Sequence, residues 1–141
     1  MILSIRGRLR LIAIKAKYYW FTKIYGMDIH PNARISFGAR LDKVNPKGVH
    51  IGEDTFVASG AIVFSHDFAR KLHADTYVGK CCFIGVNAII MAGVKIGDEC
   101  IIGAGTIITK NVPSNSIVVG NPAHVIRSGI HTGKFGYLLK E

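Results

Sequence analysis

Aliphatic residues recur every six positions along most of this chain. From the middle onward the step picks out Val78, Ile84, Ile90, Ile96, Ile102 and Ile108; upstream it picks out Ile51, Val57 and Val63, and before them Ile29, Ile35 and Leu41. Amphipathic helices need apolar positions three and four apart, and half-buried strands need alternation, so a sustained six-residue step predicts a stacked repeat. The residue after the aliphatic is glycine at Gly52, Gly79, Gly85, Gly97 and Gly103. The residue four places after it is small or β-branched, as at Ala33, Ala39, Thr55, Ala61, Cys82, Ala88, Val94, Cys100, Thr106 and Val112. A chain that turns a corner every six residues is expected to use glycine to relieve strain at the turn and small side chains where corners stack.

Three hexapeptides per turn make a triangular coil. The step is interrupted twice, by four extra residues between Leu41 and Ile51 and by nine between Val63 and Val78. Both interruptions follow the third hexapeptide of a coil, so both leave the same edge of the prism. The predicted coils are 29–50, 51–77, 78–95 and 96–113, with a degenerate closing turn after Ser114. A solenoid hydrogen-bonds only to its neighbouring turns and needs caps; Pro113 and Pro122 suit the exit, and the N-terminal segment suits the entry. The expected organisation is a basic amphipathic segment at 1–26, a solenoid domain at 27–127 with a loop at 64–77, and a C-terminal tail at 128–141.

Composition narrows the function. A length of 141 residues is one domain, and 49% hydrophobic with 19% charged residues excludes an intrinsically disordered chain. The net charge of +9 is concentrated at the start: residues 1–25 carry Arg6, Arg8, Arg10, Lys15, Lys17 and Lys23 with no acid, leaving +3 for the remainder. The same segment holds Ile2, Leu3, Ile5, Leu9, Leu11, Ile12, Ile14 and the aromatic run Tyr18-Tyr19-Trp20-Phe21. Read as a helix, it suits an anionic membrane surface and equally suits a cap on the first coil. No helix-turn-helix, RNP or zinc signature supports nucleic-acid binding. The arginines break the early apolar stretch, which makes it a poor signal peptide, and no window reaches the length of a spanning helix. Cys81, Cys82 and Cys100 are odd in number and lack C-x-x-C spacing, which argues against a disulfide framework and makes a reducing cytoplasm the default; peripheral contact on the inner face of the membrane is an expectation of the basic segment 1–25.

Candidate chemistry lies in the nine-residue interruption. Acyl transfer to an alcohol needs a base for the hydroxyl proton, and neutral imidazole is well matched to that near pH 7. His66 stands two residues into the loop and is the expected base; Asp67 follows it, and His73, with Asp75 beyond it, is the competitor or a substrate contact. Asp67 reads as a substrate contact or a solvated carboxylate. Cys82 and Cys100, eighteen apart, fall at the small corner position and read as packing residues, so a covalent acyl-enzyme is not expected.

The closing run Ile102-Gly-Ala-Gly-Thr-Ile-Ile-Thr-Lys110, Val112-Pro113 and Gly120-Asn-Pro-Ala-His-Val-Ile-Arg127 resembles the hexapeptide-repeat acyltransferases. It is most similar to the sugar O-acetyltransferases of polysaccharide, lipopolysaccharide and capsule synthesis. The resemblance covers about residues 27–127 and implies an all-β, left-handed parallel β-helix, an acetyl-CoA co-substrate without a metal, and a homotrimer with active sites between adjacent solenoids. It implies that the catalytic histidine sits in the loop holding Ser65-His66-Asp67. It also implies that the pantetheine arm contacts Gly85–Val86 and Gly103–Ala104, and that Thr109, Lys110 and Arg127 hold the nucleotide end. Two departures weaken individual contacts: His124 stands where relatives often carry Lys or Arg, and Val86 replaces a small polar residue. The expected reaction is acetyl transfer to a hydroxyl of a free, nucleotide-linked or lipid-linked sugar or glycan. The alternatives are amino-sugar N-acetylation and a non-catalytic binding solenoid. A zinc carbonic anhydrase on this solenoid needs three histidines, whereas residues 78–113 contain none.

Overall fold

The structure is a computed structural model in which residues 4–140 are described. Three parallel sheets form the sides of a coil. The first side stacks Asp28–Ile29, Val49–Ile51, Thr76–Val78 and Lys95–Ile96; the third stacks Arg40–Leu41, Ile62–Val63, Ile89–Ile90 and Ile107–Ile108. The second stacks Arg34–Ile35, Phe56–Val57, Phe83–Ile84, Ile101–Ile102 and Ser116–Val119, and ends on an antiparallel strand, His124–Ser128.

The aliphatic step is the core. Ile29, Ile51, Val78 and Ile96 stand in register up the first side, and Ile35, Val57, Ile84, Ile102 and Val118 up the second. Leu41, Val63, Ile90 and Ile108 do the same on the third. All thirteen are buried, so each coil stacks like on like. At the corners Thr55, Ala61, Cys82, Ala88, Cys100 and Thr106 have no exposed surface, which is why only small side chains occur there.

The corner glycines act for a different reason than the sequence predicts. Gly52, Gly79, Gly85, Gly97 and Gly103 do not occupy the left-handed region; that falls two residues later, at Asp54, Gly60, Cys81, Asn87, Gly93, Glu99 and Gly105, with φ between 54° and 85°. What excludes a side chain after the aliphatic is the next coil. A Cβ on Gly52 would lie 2.6 Å from the Gly79 carbonyl carbon and 2.8 Å from the Lys80 nitrogen, both backbone.

Both ends are covered. Helix α1 (Ile5–Tyr19) starts at Ser4, whose hydroxyl accepts from the Gly7 amide, and continues as a wider π turn over Trp20–Ile24. Phe21 and Met27 close the first coil at 2% and 4% exposure, and the Tyr18 hydroxyl donates to the Ile29 carbonyl at 3.1 Å. α1 itself buries no residue, and Ile5, Leu9 and Ile12 remain 61–78% exposed. Beyond Ser128 the chain folds back along the coil. Ile130 is buried, the Thr132 amide donates to Glu99, and the Phe135 amide donates to the Asp54 carbonyl at 2.7 Å.

Gly52→Ala should therefore cost about 1–3 kcal/mol by overpacking against rigid backbone. Denaturant unfolding checks this; an unchanged midpoint would show that the corners do not touch.

Candidate active site

The two interruptions of the repeat meet at one edge. Register pairs Leu41 with Val63, so the residue after Leu41 lies beneath the start of the longer insertion. That residue is Asp42, with 1% of its side chain exposed. Its Oδ1 accepts the amides of Val44 and Asn45 at 2.8 and 3.2 Å, and its Oδ2 accepts those of Ser65 and His66 at 2.8 and 2.9 Å. Oδ2 also takes a hydrogen bond from Nδ1 of the His66 ring. Burial alone would raise the Asp42 carboxyl, but the bonds from the Ser65 amide, the His66 ring and the Val44 and Asn45 amides outweigh it and hold it below the usual carboxylate value.

A carboxylate can only accept, so Nδ1 carries the proton and Nε2 of neutral His66 keeps its lone pair. His66 lines a cavity of about 440 Å³ between the third side and the N-terminal segment. The loop that carries it is a short hairpin, with His66–Asp67 antiparallel to Leu72–His73. Its base is fixed by the Ala74 amide on the Ser65 carbonyl (3.0 Å), by Asn45 Nδ2 on the same carbonyl (2.8 Å), and by the Thr76 hydroxyl on the Phe64 carbonyl (2.6 Å).

The expected site residues divide into groups. His73 stands opposite His66 in the hairpin, the two rings 6.5 Å apart and perpendicular in attitude, so the two histidines come together. Asp67 turns to Arg70, accepting its backbone amide at 3.1 Å and its Nε at 2.6 Å, and the Arg70 hydrogen bonds hold its carboxyl below the ordinary value. Asp75 does not pair with His73. It joins His50, which bridges Asp75 at 2.9 Å and Asp28 at 2.7 Å.

Gly85–Val86 and Gly103–Ala104 stack on each other at the edge between the second and third sides, where the Gly105 amide donates to the Val86 carbonyl. His66 is at the edge between the third and first sides, so one chain does not bring these backbone positions to the imidazole. Thr109 and Lys110 share the edge of His66, two coils further on, and are exposed. Arg127 lies in the last antiparallel strand, opposite Ile117.

The cysteines do not resemble nucleophiles. Cys82 and Cys100 are buried, with their sulfurs on the Gly97 and Pro113 carbonyls. The neighbouring Cys100 thiol and burial push the Cys82 thiol up, and burial does the same to Cys81. Among the described residues no group of three or more His, Cys, Asp or Glu is placed to hold a metal.

Asp42 is the residue that sequence reasoning missed. Its signal was available: the four-residue interruption also leaves this edge, one coil below the loop, and it opens with a carboxylate.

A family model for the hexapeptide repeat of succinyl-transferase matches residues 76–110. Curated relatives include serine acetyltransferase 2 of Arabidopsis thaliana, 34% identical over 111 residues, which span 75% of this chain and 34% of that protein. The bifunctional protein GlmU of Streptococcus uberis is 33% identical over 128 residues, spanning 74% of this chain and 28% of that one. The chain thus spans about a third of the length of these relatives. Among solved structures, a hexapeptide-repeat acetyltransferase of Vibrio cholerae complexed with acetyl coenzyme A aligns over 86% of this chain and 84% of its own, with TM-score 0.59 and 21% identity. A maltose O-acetyltransferase of Clostridium difficile aligns over 86% and 82%, with TM-score 0.56 and 18% identity; at these identities the likeness is one of fold. The chain carries the hexapeptide repeat of that family model over residues 76–110 and shares its fold with hexapeptide-repeat acetyltransferases.

The Asp42 network predicts acid sensitivity with a definite sign. Its folded carboxyl lies below the unfolded value of about 4, so its stabilisation is complete above that value and is lost as pH falls through the lower folded value. Asp42→Asn should cost about 1–3 kcal/mol near neutral pH, and the gap to the parent protein should close on acidification. Denaturation at stepped pH checks this; a pH-independent gap contradicts it.

Proposed function

We propose that the chain transfers an acetyl group from acetyl-CoA to a hydroxyl of a sugar or glycan, in surface polysaccharide synthesis. The observation that carries the proposal is the Asp42–His66 pair: a buried carboxylate engages Nδ1 and so fixes the tautomer of a ring that lines a cavity. The acceptor oxygen attacks the thioester carbonyl carbon while Nε2 takes the hydroxyl proton. The tetrahedral adduct then collapses, the C–S bond breaks, and the imidazolium returns its proton to the departing thiolate. Asp42 stabilises the imidazolium in between. His73, across the hairpin, contacts the acceptor, and Asp67 holds the hairpin turn that presents both rings.

Acetyl-CoA enters the proposal through the Vibrio structure complexed with it and through the edge at Gly85–Val86 and Gly103–Ala104, where Val86 and Ala104 are exposed. Thr109, Lys110 and Arg127 hold its nucleotide end. Because those glycines and His66 occupy different edges, a complete site forms where an edge of one copy meets an edge of the next. We read the coil as left-handed and the assembly as a homotrimer packed through the third side, whose outward Ile62, Ile89 and Ile107 are apolar and only half-buried within one chain. No helix of the described residues is long and apolar enough to cross a membrane. Peripheral attachment is proposed through α1, whose exposed Ile5, Leu9 and Ile12 form one stripe flanked by Arg6, Arg8 and Lys15.

His66→Ala should lower turnover by roughly 10²–10⁴-fold and leave acetyl-CoA binding unchanged, whereas His73→Ala should mainly raise the acceptor KM. Steady-state kinetics with calorimetric titration of the coenzyme separates these. Survival of turnover in both variants would remove the histidine mechanism. Release of the product acetyl group by mild alkali marks an ester; resistance marks N-acetylation.

Light scattering should give three chain masses. Removing residues 1–20 should reduce pelleting with anionic vesicles at low salt, and equal pelleting would leave the segment as a cap alone.

A further inference from the structure

The cavity beside His66 contains a second chemical feature that proton transfer does not use. Lys17 reaches it from α1, and Arg40 and Lys43 reach it from the first coil, with Trp20 and Phe37 as apolar walls. The carboxylate in the same wall, Asp42, is saturated by amides of both insertions and by the His66 ring. None of the three cations pairs with a carboxylate among the described residues.

The Lys17 ammonium donates to the backbone carbonyls of Ser36, Phe37 and Ala39, which orient it without neutralising it. Lys43 lies over the Tyr25 ring, 5.7 Å from its centroid, also without an anion. Burial and the charge of Lys43 hold the Lys17 ammonium below its ordinary value, as expected of like charges facing one cavity. Grouping cations without a counter-charge is unfavourable in the empty site and favourable once a multivalent anion enters.

We propose that the acceptor is a glycosyl phosphate or diphosphate, with Lys17, Arg40 and Lys43 holding the phosphate while the sugar hydroxyl faces His66. This rests on the acetyl-transfer reading for the role of His66. The anion site itself stands on the cation cluster alone. The shared chemistry is a phosphate ester of a sugar, carried by a nucleoside or by a lipid. Trp20 and Phe37 offer apolar faces beside the phosphate, at the end of the segment that presents the α1 stripe.

The test titrates inorganic pyrophosphate into the full-length protein saturated with coenzyme A, so that the coenzyme's own phosphate contacts are filled. Saturable binding is expected. Lys43→Ala and Arg40→Ala should each weaken it by about tenfold, Lys43→Arg should restore it, and Lys95→Ala on the first side should leave it unchanged. Absence of binding, or equal binding by Lys43→Ala, overturns the proposal. So does a Lys43→Ala variant that loses affinity for coenzyme A instead, because the cations would then serve the donor.

Displacement of pyrophosphate by uridine diphosphate assigns a nucleotide-linked acceptor, and displacement by farnesyl diphosphate in vesicles assigns a lipid-linked one. Displacement by neither overturns the sugar-diphosphate assignment. Because the readout is binding, it fails independently of the kinetics of His66→Ala: an active enzyme without the anion site loses only this inference.

Discussion

Every side of this coil has the same length because every inward position must meet an identical position above and below it. Ile84 can pack on Val57 and Ile102 only if each turn returns to the same place, and a residue added within a side would move the aliphatic column off its register. Extra chain is therefore tolerated only at corners. Two insertions leave the same edge in consecutive coils, and their overlap sets the longer insertion on the carboxylate that opens the shorter one. The candidate chemistry sits there because the repeat permits it nowhere else.

A loop on a solenoid is not yet a site, since a base must be held to within a fraction of an ångström to act. Asp42 supplies that restraint. By accepting amides from both insertions and the ring proton of His66, one buried carboxylate sets the backbone path into the hairpin and the direction of the imidazole together. A buried charge is tolerable only when its acceptor sites are filled, and here the chain's own amides fill them. The same bonds keep the carboxylate ionised, and an ionised carboxylate is what fixes the histidine tautomer.

Periodicity alone disclosed the coil, its three sides and the edge of the insertions, because the inward column is a one-dimensional pattern. It misassigned the purpose of the corner glycines: close approach between coils and left-handed turns both favour glycine, and only coordinates show that Gly52 faces Gly79 while Asp54 takes the turn. His66 was legible from its place in the longer insertion. Asp42 was not singled out, since the two are 24 residues apart and meet only through coil stacking. The pairing of Asp67 with Arg70, and of Asp75 with His50, was illegible for a similar reason. A carboxylate near a histidine in sequence competes with partners that only the fold brings closer.

The outward positions are free of the register constraint, and the three sides use that freedom differently. The second side stacks Phe56 on Phe83, and the returning chain at Phe135 covers them. The third exposes a run of isoleucines that ends in the cation-lined cavity. The first is a polar ladder, with His50 between Asp28 and Asp75 and stacked on Tyr77 at 4.2 Å. Burial would lower the His50 imidazole, but its bonds to Asp28 and Asp75 outweigh that and raise it, favouring the charged form that satisfies both acids. Asp75 is the residue by which the hairpin rejoins the coil. The hairpin is thus anchored twice, at its entry by Asp42 from the coil below and at its exit by His50 from the adjoining side. Two anchors at opposite ends of a short hairpin leave it little freedom to swing, and that is what fixes the place of the His66 ring on a loop.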